Sequence, residues 1–220
     1  DLHSFPTRRS SDLVGVISDE FMKRVQGGQD WYLFDPAEVS DLNELYGEAF
    51  SRRYQEYIKL AEAGKINRFE VVPARQQFRQ ILSSLQATGH PWLTWKDAIN
   101  LRALNNNTGT IHLSNLCTEI TLPEDENNIA TCNLVSMNLS AFLNTDKTWD
   151  WDRLAVSVRS ATRQLDNLID ITNTPVVEAM HSNEHNRALG LGYMGLSDVL
   201  EKLETPTRSE ERRVGKECRS

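Results

Sequence analysis

The chain has 220 residues, 24 Lys and Arg against 31 Asp and Glu, and a net charge of −7. An acidic chain without a basic block is not built for a nucleic-acid surface, and no apolar run is long enough to span a bilayer. Three cysteines do not make a disulfide scaffold; they fit a reducing compartment such as the cytoplasm.

The two ends are set aside before any fold reasoning. Residues 1–13, DLHSFPTRRSSDL, and 208–220, RSEERRVGKECRS, show neither helical nor strand periodicity. They resemble the translation of a sequencing adapter and of its reverse complement, so both are expected to be artefacts. The expected domain is then 14–207, a partial catalytic unit. It holds 17 of the 24 basic and 26 of the 31 acidic residues, a net charge of −9, and two cysteines, Cys117 and Cys132.

In chain order, residues 19–25 read as the end of a helix stopped by Gly27-Gly28. Trp31-Tyr32-Leu33-Phe34 followed by Asp35-Pro36 reads as a strand and a turn. The spacing of Leu42, Leu45, Tyr46, Phe50, Tyr54, Tyr57, Ile58 and Leu60 predicts a helix over 41–63, with Gly64 as its stop. A second helix is expected from Pro73 to Gly89. His90 to Trp95 reads as a buried strand, 96–104 as a short helix, and 105–109 as a polar turn. Residues 110–122 and 131–139 are apolar-rich segments flanking the acidic loop 123–128. Leu154, Val158, Ala161, Leu165, Leu168 and Ile169 put one stripe on a helix over 150–171. A short helical turn after Pro175, a strand at 187–193 and a helix at 195–204 complete the chain. Short strands alternating with amphipathic helices imply an α/β layered or barrel architecture.

Chemistry concentrates in Asn115-Leu116-Cys117-Thr118-Glu119. On an extended segment, positions 115, 117 and 119 share one face. An amide, a thiol and a carboxyl would then point together: one to orient a hydroxyl, one to react, one to accept a proton. Spacing alone leaves open a buried structural cysteine between polar rim residues. His112 sits at an odd offset and is expected to be structural. His181 and His185, four apart, lack a third ligand in the sequence, so no metal site is expected. The tryptophans at 92, 95, 149 and 151 are expected as core or interface anchors. Gly190-Leu191-Gly192-Tyr193-Met194-Gly195 is a literal G-x-G-x-x-G. It could open a Rossmann-type nicotinamide site, but the segment before it is no apolar strand; a glycine-rich strand entering a helix is the favoured reading.

The longer string Thr108-Gly109-Thr110-Ile111-His112-Leu113-Ser114-Asn115-Leu116-Cys117-Thr118-Glu119-Ile120 closely resembles the thiyl-radical loop of ribonucleotide reductase large subunits. Thr131 to Leu139, with Cys132, resembles the motif that carries one of the family's two reducing cysteines, Arg187 to Asp198 a third motif, and Trp31 to Pro36 a segment ahead of the loop. Val135 and Tyr193 depart from the family, which commonly has a small residue and a valine there. The resemblance implies a central fragment of a ten-stranded α/β barrel that reduces ribonucleoside diphosphates to 2′-deoxyribonucleotides. It implies that Cys117 carries the radical, Glu119 takes the 3′-hydroxyl proton, Ser114, Asn115 and Glu119 bind the sugar, and Cys132 is one of two reducing thiols, its partner lying upstream of residue 14.

The resemblance also implies a radical from a metal-containing small subunit, thioredoxin or glutaredoxin as reductant, ATP and deoxynucleotide effectors, and a large-subunit homodimer. No cofactor is expected on the fragment itself. A cobalamin-dependent reductase is the close alternative; a Rossmann-type oxidoreductase or a non-catalytic α/β binding module are the remote ones. Alone, the fragment is expected to be inactive and, with open strand edges, prone to aggregate.

Overall fold

The computed structural model describes residues 14–104 and 107–205; the expected adapter-like ends lie outside the described residues, as do Asn105 and Asn106 of the polar turn. The chain divides into two units, one up to Asp125 and one from Glu126.

The first unit starts with β1 (Val14–Ile17) and α1 (Asp19–Gly27). Ser18 caps α1 by accepting from Phe21 N at 3.2 Å, acidic Asp19 and Glu20 face the positive helix end, and Gly28 closes it at φ 64°. Next come β2 (Asp30–Phe34), a short 3-10 turn at Ser40–Glu44, α2 (Gly47–Glu62), β3 (Phe69–Pro73), α3 (Ala74–Thr88), β4 (Trp92–Trp95) and α4 (Lys96–Arg102). β1 pairs in parallel with β4, Val14 against Trp92; β2 pairs antiparallel with β3.

Two apolar clusters hold this unit. Ile17, Phe21 and the fully buried Ala74 pack with Met22, Val25, Trp31, Phe78 and Leu93. Val39, Tyr57, Ala61 and Ile66 pack with Phe34, Leu42 and Leu60. Tyr54 joins helix to strand: its hydroxyl donates to Tyr32 O (3.0 Å) and accepts from Tyr32 N (2.7 Å), while its ring stacks on Trp31 with centroids 4.3 Å apart. Burial pushes the Tyr54 phenol well above its ordinary pKa, so it stays a donor.

Three expectations change here. The helix expected from 41 begins at Gly47, because Leu45 and Tyr46 are extended and Gly47 sits at φ 60°. Leu42 packs partly buried against the core through a 3-10 turn rather than an α-helical face, and periodicity cannot tell these apart. The strand at β4 is half-open, not buried: Thr94 is buried, but Trp92 and Trp95 are 48% and 44% exposed. β3 was not anticipated, since its mostly exposed residues carry no alternation.

The second unit comprises β5 (Asn133–Asn138), a 3-10 turn at Leu139–Phe142, α5 (Trp151–Ile171), α6 (Val177–Asn186), β6 (Leu189–Met194) and α7 (Leu196–Lys202). β5 and β6 are parallel, joined by the two long helices. Asp150 caps α5 by accepting from Arg153 N at 3.0 Å. Leu165 and Ile169 are the buried centre of its predicted stripe; Leu168 is exposed. Arg187, in the left-handed conformation that ends α6, donates to Asp166 Oδ1, Asp166 O and Asp170 Oδ1, each at 2.8 Å, and so ties the start of β6 to α5.

The G-x-G-x-x-G pattern is not a phosphate-binding turn. Gly190 and Gly192 are strand residues of β6, paired with Leu134 and Ser136, and helix α6 precedes them. A dinucleotide site needs those glycines in the loop that opens the helix. The glycine-rich strand entering a helix is what the structure shows.

The glycines differ in what they tolerate. A Cβ on Gly190 would lie 2.4 Å from Leu134 Cδ2, the end of an exposed side chain that can swing aside, with its other neighbours at ordinary contact distance. Gly195 opens α7 at φ 75°, and a Cβ there would lie 2.7 Å from Asn138 Oδ1. Gly195→Ala is expected to cost at least about 1–2 kcal/mol in urea unfolding from the left-handed backbone alone, while Gly190→Ala costs less.

Among the described residues the six strands pair two by two and do not close a barrel. The alternation of helices and strands is that of an α/β protein.

Candidate active site

The segment around Cys117 is a compact loop, not an extended strand. Thr118 N donates to Asn115 O at 3.0 Å, closing a four-residue turn with Leu116 and Cys117 at its tip. Thr118 sits at φ 68°, an unusual conformation for a β-branched residue and a source of local strain. The expected sharing of one strand face by positions 115, 117 and 119 is therefore replaced by a turn, because Asn115 supplies the hydrogen bonds a neighbouring strand would otherwise provide.

That turn still brings Asn115 and Glu119 together. Asn115 Nδ2 donates to Glu119 Oε1 at 2.8 Å, and Asn115 Oδ1 accepts from Ile120 N at 3.0 Å. The Ser114 hydroxyl donates to Ile120 O at 2.6 Å, closing the loop at its base. Both atoms of the Asn115 amide are thus committed, one to the loop and one to the carboxylate. Cys117 is exposed at the tip of the turn.

Three buried polar residues of the short helix α4 hold the main chain of other segments. Lys96 Nζ donates to Asn43 O at 2.5 Å. The Asp97 carboxylate, 2% exposed, accepts from Asp19 N at 2.5 Å and from Gly47 N, so it fixes the starts of both α1 and α2. Asn100 accepts from Ile111 N at 2.8 Å and donates to Ile111 O at 2.9 Å and Lys96 O at 3.0 Å. Beside them Thr110 donates its hydroxyl to Glu44 O at 2.9 Å, and His112 Nε2 lies 3.0 Å from Glu44 Oε1, within ion-pair distance but without hydrogen-bond alignment. His112 is thus a structural contact.

Sequence reasoning missed this hub. Its signal was a Lys-Asp-x-x-Asn run on a short helix, but every partner is a main-chain atom, mostly far away in sequence, and main-chain atoms leave no mark in a sequence.

Burial draws the Lys96 pKa below its ordinary value, against the opposing pull of Asp97 and Glu44. A lysine with a lowered folded pKa holds fewer protons folded than unfolded, so its contribution to stability rises with pH between the lowered value and the unfolded value of 10.5. Thermal unfolding of wild type against Lys96→Met across the alkaline range should show this rise in wild type and lose it in the variant.

In the second unit Cys132 is exposed one residue before β5. Exposure alternates from Cys132 through Leu134 and Ser136 to Asn138, so the thiol shares the open side of that strand. Its two neighbours are pinned: the Thr131 hydroxyl and Asn133 Nδ2 both donate to the buried Asn183 Oδ1 of α6, each at 2.9 Å. Asn133 Nδ2 also reaches Ala188 O at 3.2 Å.

His181 and His185 have ring centroids 5.6 Å apart, and His181 Nδ1 lies 3.2 Å from Asn127 O. Among the described residues no group of three or more His, Cys, Asp or Glu could hold a metal ion. No helix among them is long and apolar enough to cross a membrane. Trp149 and Trp151 stack with centroids 5.0 Å apart, Trp151 largely exposed.

A family profile described as "Ribonucleotide reductase, barrel domain" matches residues 8–217. The chain belongs to the ribonucleotide reductase barrel-domain family. It is 42% identical over 206 residues to the ribonucleoside-diphosphate reductase subunit alpha of Chlamydia muridarum, covering 93% of this chain and 20% of that protein. The large subunits of Danio rerio and Caenorhabditis elegans are 37% and 39% identical, over 93% and 90% of this chain and 25% and 24% of their own length. The chain therefore spans about a fifth to a quarter of these reductases.

Proposed function

We propose that this chain is the radical-bearing part of the catalytic barrel of a ribonucleoside-diphosphate reductase large subunit. Cys117 carries the thiyl radical. It takes the hydrogen from C3′ of the substrate ribose, forming its own S–H bond and leaving a carbon radical. Glu119 takes the proton of the 3′-hydroxyl, which weakens the 2′ C–O bond. The 2′-hydroxyl leaves as water after gaining a proton from a thiol pair that includes Cys132. The pair's second hydrogen forms the new C2′–H bond, its two electrons complete the reduction as it ends as a disulfide, and Glu119 returns its proton to the 3′-oxygen. Cys117 returns its hydrogen atom to C3′, and the thiyl radical is restored. The hydrogen bond between Asn115 and Glu119 carries the reading: it sets an amide donor and a carboxylate side by side within two residues of an exposed thiol, where a ribose hydroxyl can exchange into the pair.

The radical comes from a separate subunit, a reading favoured over the cobalamin form by relatives named subunit alpha and large subunit. Thioredoxin or glutaredoxin reduces the disulfide, ATP and deoxynucleotides act as effectors elsewhere on the subunit, and the large subunit is a cytoplasmic homodimer. Reconstitution of the large subunit from the gene that carries this segment, with its small subunit and a dithiol, tests the proposal. Deoxyribonucleoside diphosphate is the expected product, and its absence from a radical-loaded, substrate-bound enzyme would sink it.

A further inference from the structure

We propose that Asn100 is a positioning residue for the Cys117 loop, holding the main chain from which that loop departs. The inference rests on the reading of Cys117 given above. Asn100 is 2% exposed and lies in α4, away from the thiol in sequence. Its amide makes the two bonds that a neighbouring strand would make to Ile111: the oxygen takes the Ile111 N–H and the nitrogen gives to the Ile111 carbonyl. A second N–H bond to Lys96 O fixes the amide's own orientation on the helix.

This substitution for a strand is needed because Ile111, although 3% exposed, belongs to no strand or helix. A buried main-chain N–H and C=O must find partners, and here one side chain supplies both. Thr110 adds its hydroxyl bond to Glu44 O on the residue before. From that clamp the chain has only His112 and Leu113 to cross before Ser114 and Asn115 begin the closed turn. Thr118 holds that turn in a strained backbone, so the loop has an incentive to relax if its base is released. A displacement of about 1 Å at a reacting group can cost about a hundredfold in rate, so the clamp at Ile111 bears directly on where the Cys117 sulfur stands. The carboxylate of Asp97, one turn earlier, ties the same helix to the starts of α1 and α2, which gives Asn100 a fixed base to hold from.

The test uses the large subunit reconstituted with its small subunit and carrying Asn100→Ala or Asn100→Asp. The aspartate has the same size and still accepts the Ile111 N–H but cannot donate when ionised. We expect kcat to fall at least tenfold in both variants with KM for the ribonucleotide within about threefold. Hydrogen exchange of peptides spanning 111–120 should quicken, and alkylation of Cys117 by iodoacetamide should change in rate relative to Cys132, while exchange in α1 and α2 stays as in wild type. A kcat within twofold of wild type in the Asn100→Asp enzyme overturns the proposal. So does a loss of exchange protection spread evenly across α1, α2 and α3 in that variant, which marks a general folding role. A Cys117→Ser enzyme run alongside separates the two readings. If it keeps activity, the assignment of Cys117 fails; if it is dead while Asn100→Asp is normal, only the role of Asn100 fails.

Discussion

Cys117→Ser is expected to lower ribonucleotide reduction by more than about 10⁴-fold, the order reached when the reacting group itself is removed. Serine keeps nearly the same shape, and Cys117 is exposed at the tip of its turn, so the loop has no packing to lose. Stability should stay within about 0.5 kcal/mol. The hydrogen bonds that shape the loop come from Ser114, Asn115 and Thr118 N, none of them from the thiol. What changes is the bond to hydrogen. An S–H bond is weak enough to be exchanged with a ribose C–H; an O–H bond is far stronger, and a radical placed on serine oxygen lies too high to be reached. Substrate affinity should therefore survive while turnover does not, which equilibrium binding and a product assay on the same preparation will separate.

Glu119→Gln is expected to lower kcat by about 10²- to 10⁴-fold, the range of a positioned general base, with KM little changed. The glutamine carbonyl can still accept from Asn115 Nδ2, so the 2.8 Å bond and the turn it braces persist. Only the ability to take a proton is gone. A steady-state comparison of kcat and KM checks this. An equal loss from Glu119→Gln and Glu119→Ala would agree with it, whereas full activity in the glutamine enzyme would place the base elsewhere.

The elements that were legible in the sequence are those whose side chains all answer to one period. α5 was visible because Leu154 to Ile169 keep a single stripe, and the end of α1 because Gly27-Gly28 stops it. The start of α2 was not, because Leu42 and Leu45 fit the helical period while Gly47 breaks the backbone at φ 60°. β3 exists by pairing with β2 along Phe69 to Pro73, a tertiary event with no local pattern. In the site, the grouping of Asn115 with Glu119 was anticipated, but through strand geometry; a turn with Thr118 in the left-handed region produces it instead. Asn100 and Asn183 were invisible, since an asparagine reads the same whether it faces water or clamps a buried chain.

The most direct measurement is the structure of the reconstituted large subunit with a ribonucleoside diphosphate bound. The account predicts Cys117 Sγ about 3–3.5 Å from C3′, Glu119 at the 3′-hydroxyl, and the Cys132 side chain within roughly 10 Å of Cys117 on the 2′ side of the same sugar. A ribose bound with C3′ turned away from Cys117, or with the two thiols at separate sites, would contradict it.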